Sequence, residues 1–593
     1  MFIFNYLPYL FFSLIFSNVF IIALISLPIF EKLAKGLIFP LNLSFFILTL
    51  ILFKNLINNF QIKKVSLKNL NWPLLIIGFI IIIYRSITYA HATDDFVLHM
   101  IGGYYSLDLW TGKNFIPNIL NYLYPIMPLS YYPFLEILGI RLTLIIFYSM
   151  VLIWFVSLNA RFNYLFFEKE KNKYFYLNLF FIYLFFYPPL ILTHVTFMSD
   201  FYVIVFALEG LYIFLTNKNK EYGAIMMLIA GLIKQSLGLF ILPLFIYFLI
   251  TNLQNIFKKK LFLLIILLIA IFPIRSYIEI KNPLGGLYNN IFKSPIGEEK
   301  HHRDYDLRWG AFSTAEIIYW PLIATFTNRF NEEISVSKIA RVIYPPFLFA
   351  PYLLSLYLFI KRKKIIFLIS FLSILFWSWQ SGYGRYGEAM LAIVWIINLY
   401  ELKKSFFGLN SKITFIFLIL FSLFIFPSIR NDYGMRNFFL QRFFPPVLSQ
   451  YDTLRSLTGL MYIGKDRYFD IYDKLNHNFD DFDAVIIANH GVSTYYAFLA
   501  ARFKNLPVYS YIDLKRIDLI QKSNLSKKIK QNLNNLFSSK KLLVLTTKDY
   551  PGFVEKTWIY KKFNCHILER KKLVPQFIHD NYFNYVVEYS CKK

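Results

Sequence analysis

The chain has 593 residues, of which 57% are hydrophobic and 16% charged, with a mean hydropathy of +0.49 and a formal net charge of +27. A soluble protein carries roughly 25% charged residues, and here the apolar residues come in blocks of about 17–25, the length that crosses a bilayer core as helix. Lys and Arg total 62 against 35 Asp and Glu, a balance that in a soluble chain suggests nucleic acid; here the cations sit mainly in short loops between apolar blocks, which is how topology is set, so a soluble fold and a nucleic-acid partner are both set aside.

The apolar blocks fall at approximately 7–30, 38–58, 73–90, 139–158, 174–193, 197–216, 222–234, 236–252, 261–279, 343–360, 365–381, 387–401 and 412–428. They predict a polytopic α-helical membrane protein of about thirteen transmembrane helices. The pair 222–234 and 236–252 also reads as one broken helix pair, because Lys234-Gln235 interrupts an apolar run. Nineteen Lys and Arg fall in one set of short loops, from Lys63 and Arg161 to Lys361–Lys364 and Lys412, against five in the opposite set. The positive-inside rule then makes the first set cytoplasmic, with the N-terminus inside and the tail after about residue 430 outside, at a plasma or inner membrane. The first span is too long, and lacks a small-residue cleavage site, to be a removable signal.

A transmembrane domain over 1–430, with external loops at 91–138 and 280–342, is thus expected to precede an external domain over 431–593. In the tail, Asp483-Ala484-Val485-Ile486-Ile487-Ala488, Pro507-Val508-Tyr509-Ser510-Tyr511 and Lys541-Leu542-Leu543-Val544-Leu545-Thr546 read as strands, with a helix over 493–504 between the first two. That order predicts a small α/β domain. The two cysteines, Cys565 and Cys591, both lie there; they form a disulfide if that space is oxidising, or remain two small unpaired residues. No zinc site can be built from them.

Ionisable residues at span ends carry the chemistry, since such groups are costly in or near lipid. In chain order, Thr93-Asp94-Asp95-Phe96-Val97-Leu98-His99 follows the third span. Its carboxylates suit a general base and an orienting or metal-holding partner, or a helix cap. Asp200 opens the sixth span on the same side, again as a functional acid or a cap. Glu209, nearer mid-membrane, reads as a packing group with a partner. Lys234 breaks a span at its external end; it either snorkels or marks a broken-helix site for a lipid-linked phosphate. Gly382-Tyr383-Gly384-Arg385-Tyr386-Gly387-Glu388 brings an arginine suited to bidentate phosphate binding. Arg85 and Arg275 read as weaker candidates or interfacial anchors, and His301-His302-Arg303-Asp304-Tyr305-Asp306 as a solvated loop.

With these residues in view, the chain over approximately 73–430 resembles the GT-C superfamily, the integral-membrane glycosyltransferases that use polyprenyl-phosphate sugars. The nearest-looking branch is that of protein O-mannosyltransferases and lipid A aminoarabinose transferases. Asp94-Asp95 matches its acidic pair after a span, Asp200 its acid in the second external loop, Gly231-Leu232-Ile233-Lys234 with Pro243 its lysine segment, and Arg385-Tyr386 its late Arg-Tyr pair. Two spans precede the acidic pair where the family usually has one, and the α/β tail is not tied to an acceptor class.

The resemblance implies inverting transfer of a sugar from a polyprenyl phosphate to a lipid, glycan or protein acceptor. Asp95 or Asp94 is then the base, Asp200 orients substrate, and Lys234, Arg385 and Tyr386 hold the donor phosphate. No cofactor is fixed by the sequence; a divalent metal ion held by Asp94 and Asp200 is the candidate. The alternatives are a polymerase or ligase using a diphosphate-linked glycan, for which the 280–342 loop offers Arg303, Arg308, Arg329 and Arg341, and a flippase or transporter of a lipid-linked substrate.

Overall fold

The structure, a computed structural model, describes residues 2–27, 37–57, 67–88, 124–168, 170–185, 199–216, 219–257, 259–284, 289–294, 313–326, 349–381, 384–406, 481–487, 508–510, 527–546, 563–572 and 585–593. It is mostly helical. In chain order the principal helices are α1 (Phe2–Ser26), α2 (Ile38–Leu52), α3 (Trp72–Thr88), α4 (Ile126–Phe167), α5 (Tyr174–Phe185), α6 (Asp200–Leu215) and α7 (Lys220–Ile233). They continue with α8 (Gln235–Thr251), α9 (Lys260–Ile280), α10 (Thr314–Phe326), α11 (Phe349–Arg362), α12 (Ile365–Gln380), α13 (Gly384–Phe406) and α14 (Lys527–Ser538).

Among the described residues, three stretches, Ile3–Ser26, Leu142–Phe167 and Lys260–Ile280, are long and apolar enough to cross a membrane. Large apolar side chains also face outward in stripes: Phe39, Leu43, Ile47 and Ile51 on α2, Ile76, Ile80 and Ile83 on α3, and Leu263, Leu267, Ile274 and Ile278 on α9. Spacings of three, four and seven residues put each stripe on one helix face, and contiguous exposed apolar surface of this extent suits lipid rather than water.

Polar and aromatic contacts fix the helix directions. Tyr9 of α1 donates to the Leu50 carbonyl of α2, and further along α1 Ser17 donates to Asn42 at 2.9 Å, so the two helices are antiparallel. Helix α1 is antiparallel to α4 as well, because Ser157 donates to the Phe4 carbonyl at 3.0 Å while Asn18 donates to Ser130 at 2.8 Å. Such bonds lock helices together where water is absent.

Helix α4 cannot be straight. Tyr131 and Phe147 have ring centroids 4.8 Å apart, whereas sixteen residues of straight helix would separate them by about 24 Å. Pro133 lies inside the bent part and removes one ladder bond. Beyond the bend α4 runs parallel to α6: Tyr148 meets Phe201, Trp154 meets Phe206 and Phe162 meets Tyr212.

Helices α6 and α7 pack through glycine. A Cβ on Gly210 would lie 2.8 Å from the Gly223 carbonyl oxygen, and one on Gly223 would lie 3.2 Å from the Phe214 ring. Helices α7 and α8 form a hairpin. Gly231 and Gly238 touch backbone to backbone beside Lys234, and at the far end Lys220 donates to Asn252 at 2.6 Å. Helix α12 packs on α8 through Phe240 and Phe376, and α13 meets α5 through Phe180 and Trp395.

Two polar ends result. Asp200, the Lys234 turn, the end of α12 and the start of α13 share one. Lys220, Lys259 with Glu221 at 3.9 Å, and Lys364 with Glu401 at 2.7 Å belong to the other.

The tail contains a five-stranded sheet in the order β2-β1-β3-β5-β4, made of β1 (Ala484–Ile487), β2 (Val508–Ser510), β3 (Lys541–Thr546), β4 (Asn564–Lys572) and β5 (Tyr585–Lys592). Strand β1 is parallel to both neighbours, and β5 is antiparallel to both of its own. The three strands expected from apolar runs are present; β4, which is rich in charge, and β5 were not expected. Cys565 and Cys591 are register partners on β4 and β5 and are joined by a disulfide. The expected helix over 493–504 and the apolar block over 412–428 lie outside the described residues.

Candidate functional site

Asp200 is the first residue of α6, after Ser199 at the N-cap, which offers no side-chain cap bond. A carboxylate there faces the positive end of the helix dipole. It is fully buried.

The partner comes from the α7–α8 turn. Lys234 has φ −149° and ψ 101°, an extended break between two helices. It closes α7, and its carbonyl starts α8 by accepting the amides of Leu237 at 3.1 Å and Gly238 at 2.9 Å. A reversal over one residue demands that the flanking backbones nearly touch. A Cβ on Gly238 would fall 2.3 Å from the Gly231 Cα, so this is a position where only glycine fits.

The Lys234 ammonium donates to both Asp200 oxygens, at 2.8 and 2.9 Å, and is 7% exposed. Its nitrogen lies 5.8 Å from the centroid of the Tyr386 ring, within reach of a cation–π attraction. Tyr386 is in the first turn of α13, and Gly387 beside it lets α13 approach α12: a Cβ there would be 3.0 Å from the Trp377 indole nitrogen. Glu388, one residue further, is fully buried.

Asp200, Lys234 and Tyr386, distant in sequence and each singled out from it, therefore meet at one end of the bundle. The pairing changes two expectations. Lys234 is engaged by a carboxylate rather than reaching for the membrane surface. Asp200 has both oxygens turned to an ammonium, so a metal ion at that carboxylate would have to displace Lys234. Among the described residues no three His, Cys, Asp or Glu group as metal ligands.

Asp94 and Asp95 lie outside the described residues, as do the loop at 301–306 and Arg303, Arg308, Arg329 and Arg341. Helix α3 ends at Thr88, shortly before the acidic pair. Arg385 is the second residue of α13; its side chain and that of Arg85 are not among those described.

A second buried pair lies deeper. Arg161 of α4 donates to Glu209 of α6 through both terminal guanidinium nitrogens, one bond at 2.7 Å, and Trp154 donates to the same carboxylate at 2.8 Å. The Arg161 guanidinium also lies over the Tyr212 ring at 4.8 Å. Trp154 and Arg161, two turns apart, share a face of α4. Glu209 was expected to have a packing partner. Arg161 was counted as a loop cation, and the structure corrects that: α4 continues to Phe167 and buries it.

Arg275 of α9 is held too, donating to Glu279 and to the Ile25 carbonyl at 2.8 and 2.6 Å. It thereby satisfies a carbonyl in the last turn of α1 that no intrahelical bond reaches. Tyr124, not expected from the sequence, has a buried hydroxyl without a hydrogen-bond partner among the described residues, and burial pushes its phenol well up.

The chain matches no family model, and comparison with characterised proteins and with solved structures finds no match.

Proposed function

We propose that this protein is an integral-membrane glycosyltransferase that moves a sugar from a polyprenyl-phosphate donor to a lipid, glycan or protein acceptor on the external face. The observation that carries the reading is the meeting of Asp200, Lys234 and Tyr386 at the bundle end opposite Lys220, Lys259 and Lys364. Helices that reverse direction in turn are what serial crossing requires. The lysine-rich end is cytoplasmic by the positive-inside rule. The Lys234 end then faces outward, the full count is about thirteen spans, and the tail sheet with its disulfide lies in an oxidising external space.

In this reading Asp95 or Asp94 takes the proton of the acceptor hydroxyl, and the hydroxyl oxygen attacks the anomeric carbon from the face opposite the phosphate. The glycosidic bond forms, the carbon–oxygen bond to phosphate breaks, and the anomeric centre inverts. Polyprenyl phosphate leaves, its growing charge met by Lys234 and Arg385. Asp200 holds the Lys234 ammonium in place through both of its oxygens. The apolar helix faces accept the isoprenoid chain.

The test is donor kinetics in reconstituted bilayers. Lys234→Ala and Arg385→Ala should each lower the use of a polyprenyl-phosphate sugar by at least about tenfold, the scale of one lost charge contact. Unchanged kinetics in both variants would overturn the phosphate assignment. A transporter of the same substrate would return the donor with its sugar still attached.

A further inference from the structure

Four helix ends meet beside the first turn of α7. The Tyr222 ring of α7 lies 6.0 Å from the ring of Phe53, which closes α2 and precedes Lys54. Lys220, the first residue of α7, donates to Asn252 at the end of α8 at 2.6 Å. Glu221, between Lys220 and Tyr222, lies 3.9 Å from Lys259, the N-cap of α9. The three connections at these ends, 53–71, 216–220 and 252–260, hold nine lysines and no acid. Glu221 is buried, whereas Lys54, Lys259 and Lys260 are exposed.

The outward apolar faces of three helices run into this cluster. On α9, Leu263, Leu264, Leu267, Ile274 and Ile278 are exposed. At about 3.6 residues per turn, Lys260 falls in the middle of that stripe. This helix is long and apolar enough to cross a membrane, so a lysine closing its outward stripe stands at the level of lipid headgroups. On α8, Leu242, Ile246 and Ile250 are exposed, and Leu253 continues the line past Asn252. On α2 the exposed stripe ends at Ile51, three residues before Lys54. Charge and apolar face therefore occupy neighbouring turns of the same helices.

We infer that this end of the bundle holds a binding site for an anionic phospholipid of the adjoining leaflet. Lys54, Lys220, Lys259 and Lys260 meet the headgroup phosphate, and the acyl chains lie along the outward stripe of α9. An ammonium has three donors, so Lys220, positioned by Asn252, keeps donors to spare. Basic groups gathered between membrane-crossing helices at one face of the membrane select anionic headgroups. Lysines that only set topology need not converge. Here packing draws those of three separate connections to one helix turn. The inference rests on the helical membrane character of the chain and stands apart from glycosyl transfer.

The experiment uses the full chain in neutral detergent, with phosphatidylglycerol or phosphatidylcholine added at equal concentration. Native mass spectrometry counts the lipid that stays bound. Phosphatidylglycerol should be retained at least about fivefold over phosphatidylcholine, the scale of one or two lysines at a headgroup. Lys259→Ala with Lys260→Ala, altered only at exposed positions, should bring the two lipids level. Lys361→Ala with Lys363→Ala, exposed at the same end of the bundle but on another connection, should keep the preference. Equal retention of both lipids by the native chain, or a preference that survives Lys259→Ala with Lys260→Ala, would overturn the proposal. An equal loss in both double variants would overturn it too, by tracing the preference to diffuse charge. So would displacement of phosphatidylglycerol by glycerol 3-phosphate at the same concentration, which would assign the lysines to a soluble anion.

Discussion

The Asp200–Lys234 pair shows how far one ionisable residue constrains its surroundings. Both groups are buried, and each has its charge balanced by the other. Removing one partner strands the other, which typically costs about 3–5 kcal/mol, whereas replacing both can be nearly neutral. Asp200→Asn and Lys234→Met should therefore each lower the unfolding temperature in detergent markedly, with the double variant falling well short of the sum. Additive losses would mean that the two side chains do not share one contact. Glu209→Gln should behave like the single variants, because Arg161 would keep its charge in a dry site. Both carboxylates and Lys234 were legible in the sequence, since ionisable groups interrupt apolar runs there. The Arg161 partnership was not, because nothing in residues 158–168 signals that the helix continues past the arginine.

Among elements, the α7–α8 hairpin carries the sharpest constraint. The sequence left open whether 222–252 is two spans or one broken pair; the backbone resolves this as two antiparallel helices reversing at Lys234. The glycines on either side are unequal. A Cβ on Gly231 would meet its nearest neighbour at 3.8 Å, while one on Gly238 would meet backbone at 2.3 Å. Gly231→Ala should thus leave stability nearly unchanged, and Gly238→Ala should cost at least about 1–3 kcal/mol and weaken donor use by moving Lys234. Equal melting temperatures for the two alanine variants would contradict the close crossing.

In the sheet, β1 and β3 were legible as unbroken apolar runs, the pattern of strands buried on both faces. Strand β4 is rich in charge at the sheet's edge, and β5, between β3 and β4, shows no clean alternation of apolar and polar residues; their pairing is long-range information that local pattern does not hold. The disulfide closes a 26-residue separation, so replacing both cysteines with serine should destabilise the tail by about 3 kcal/mol. Limited proteolysis of the tail would show this as faster cleavage; unchanged cleavage would mean the link adds nothing to the sheet.

For the whole molecule, the account joins a helix bundle of alternating directions to a strong asymmetry of lysine between its two ends. In right-side-out vesicles a membrane-impermeant amine reagent should label Lys540 and Lys592 of the tail and leave Lys361 and Lys364 untouched; the reverse pattern would invert the topology. Composition made the helical membrane character legible, because hydrophobic block length is a local property. Where Asp200, Lys234 and Tyr386 meet is a property of packing, and only chemical expectation pointed to it beforehand.

The central claim is bond cleavage, and product analysis tests it most directly. The purified protein in bilayers is given a radiolabelled polyprenyl-phosphate sugar and an extract of candidate acceptors. The account predicts free polyprenyl phosphate in step with sugar transfer, lost in an Asp94→Asn, Asp95→Asn double variant that still folds. Recovery of the donor with its sugar still attached, or full transfer by that variant, would contradict it.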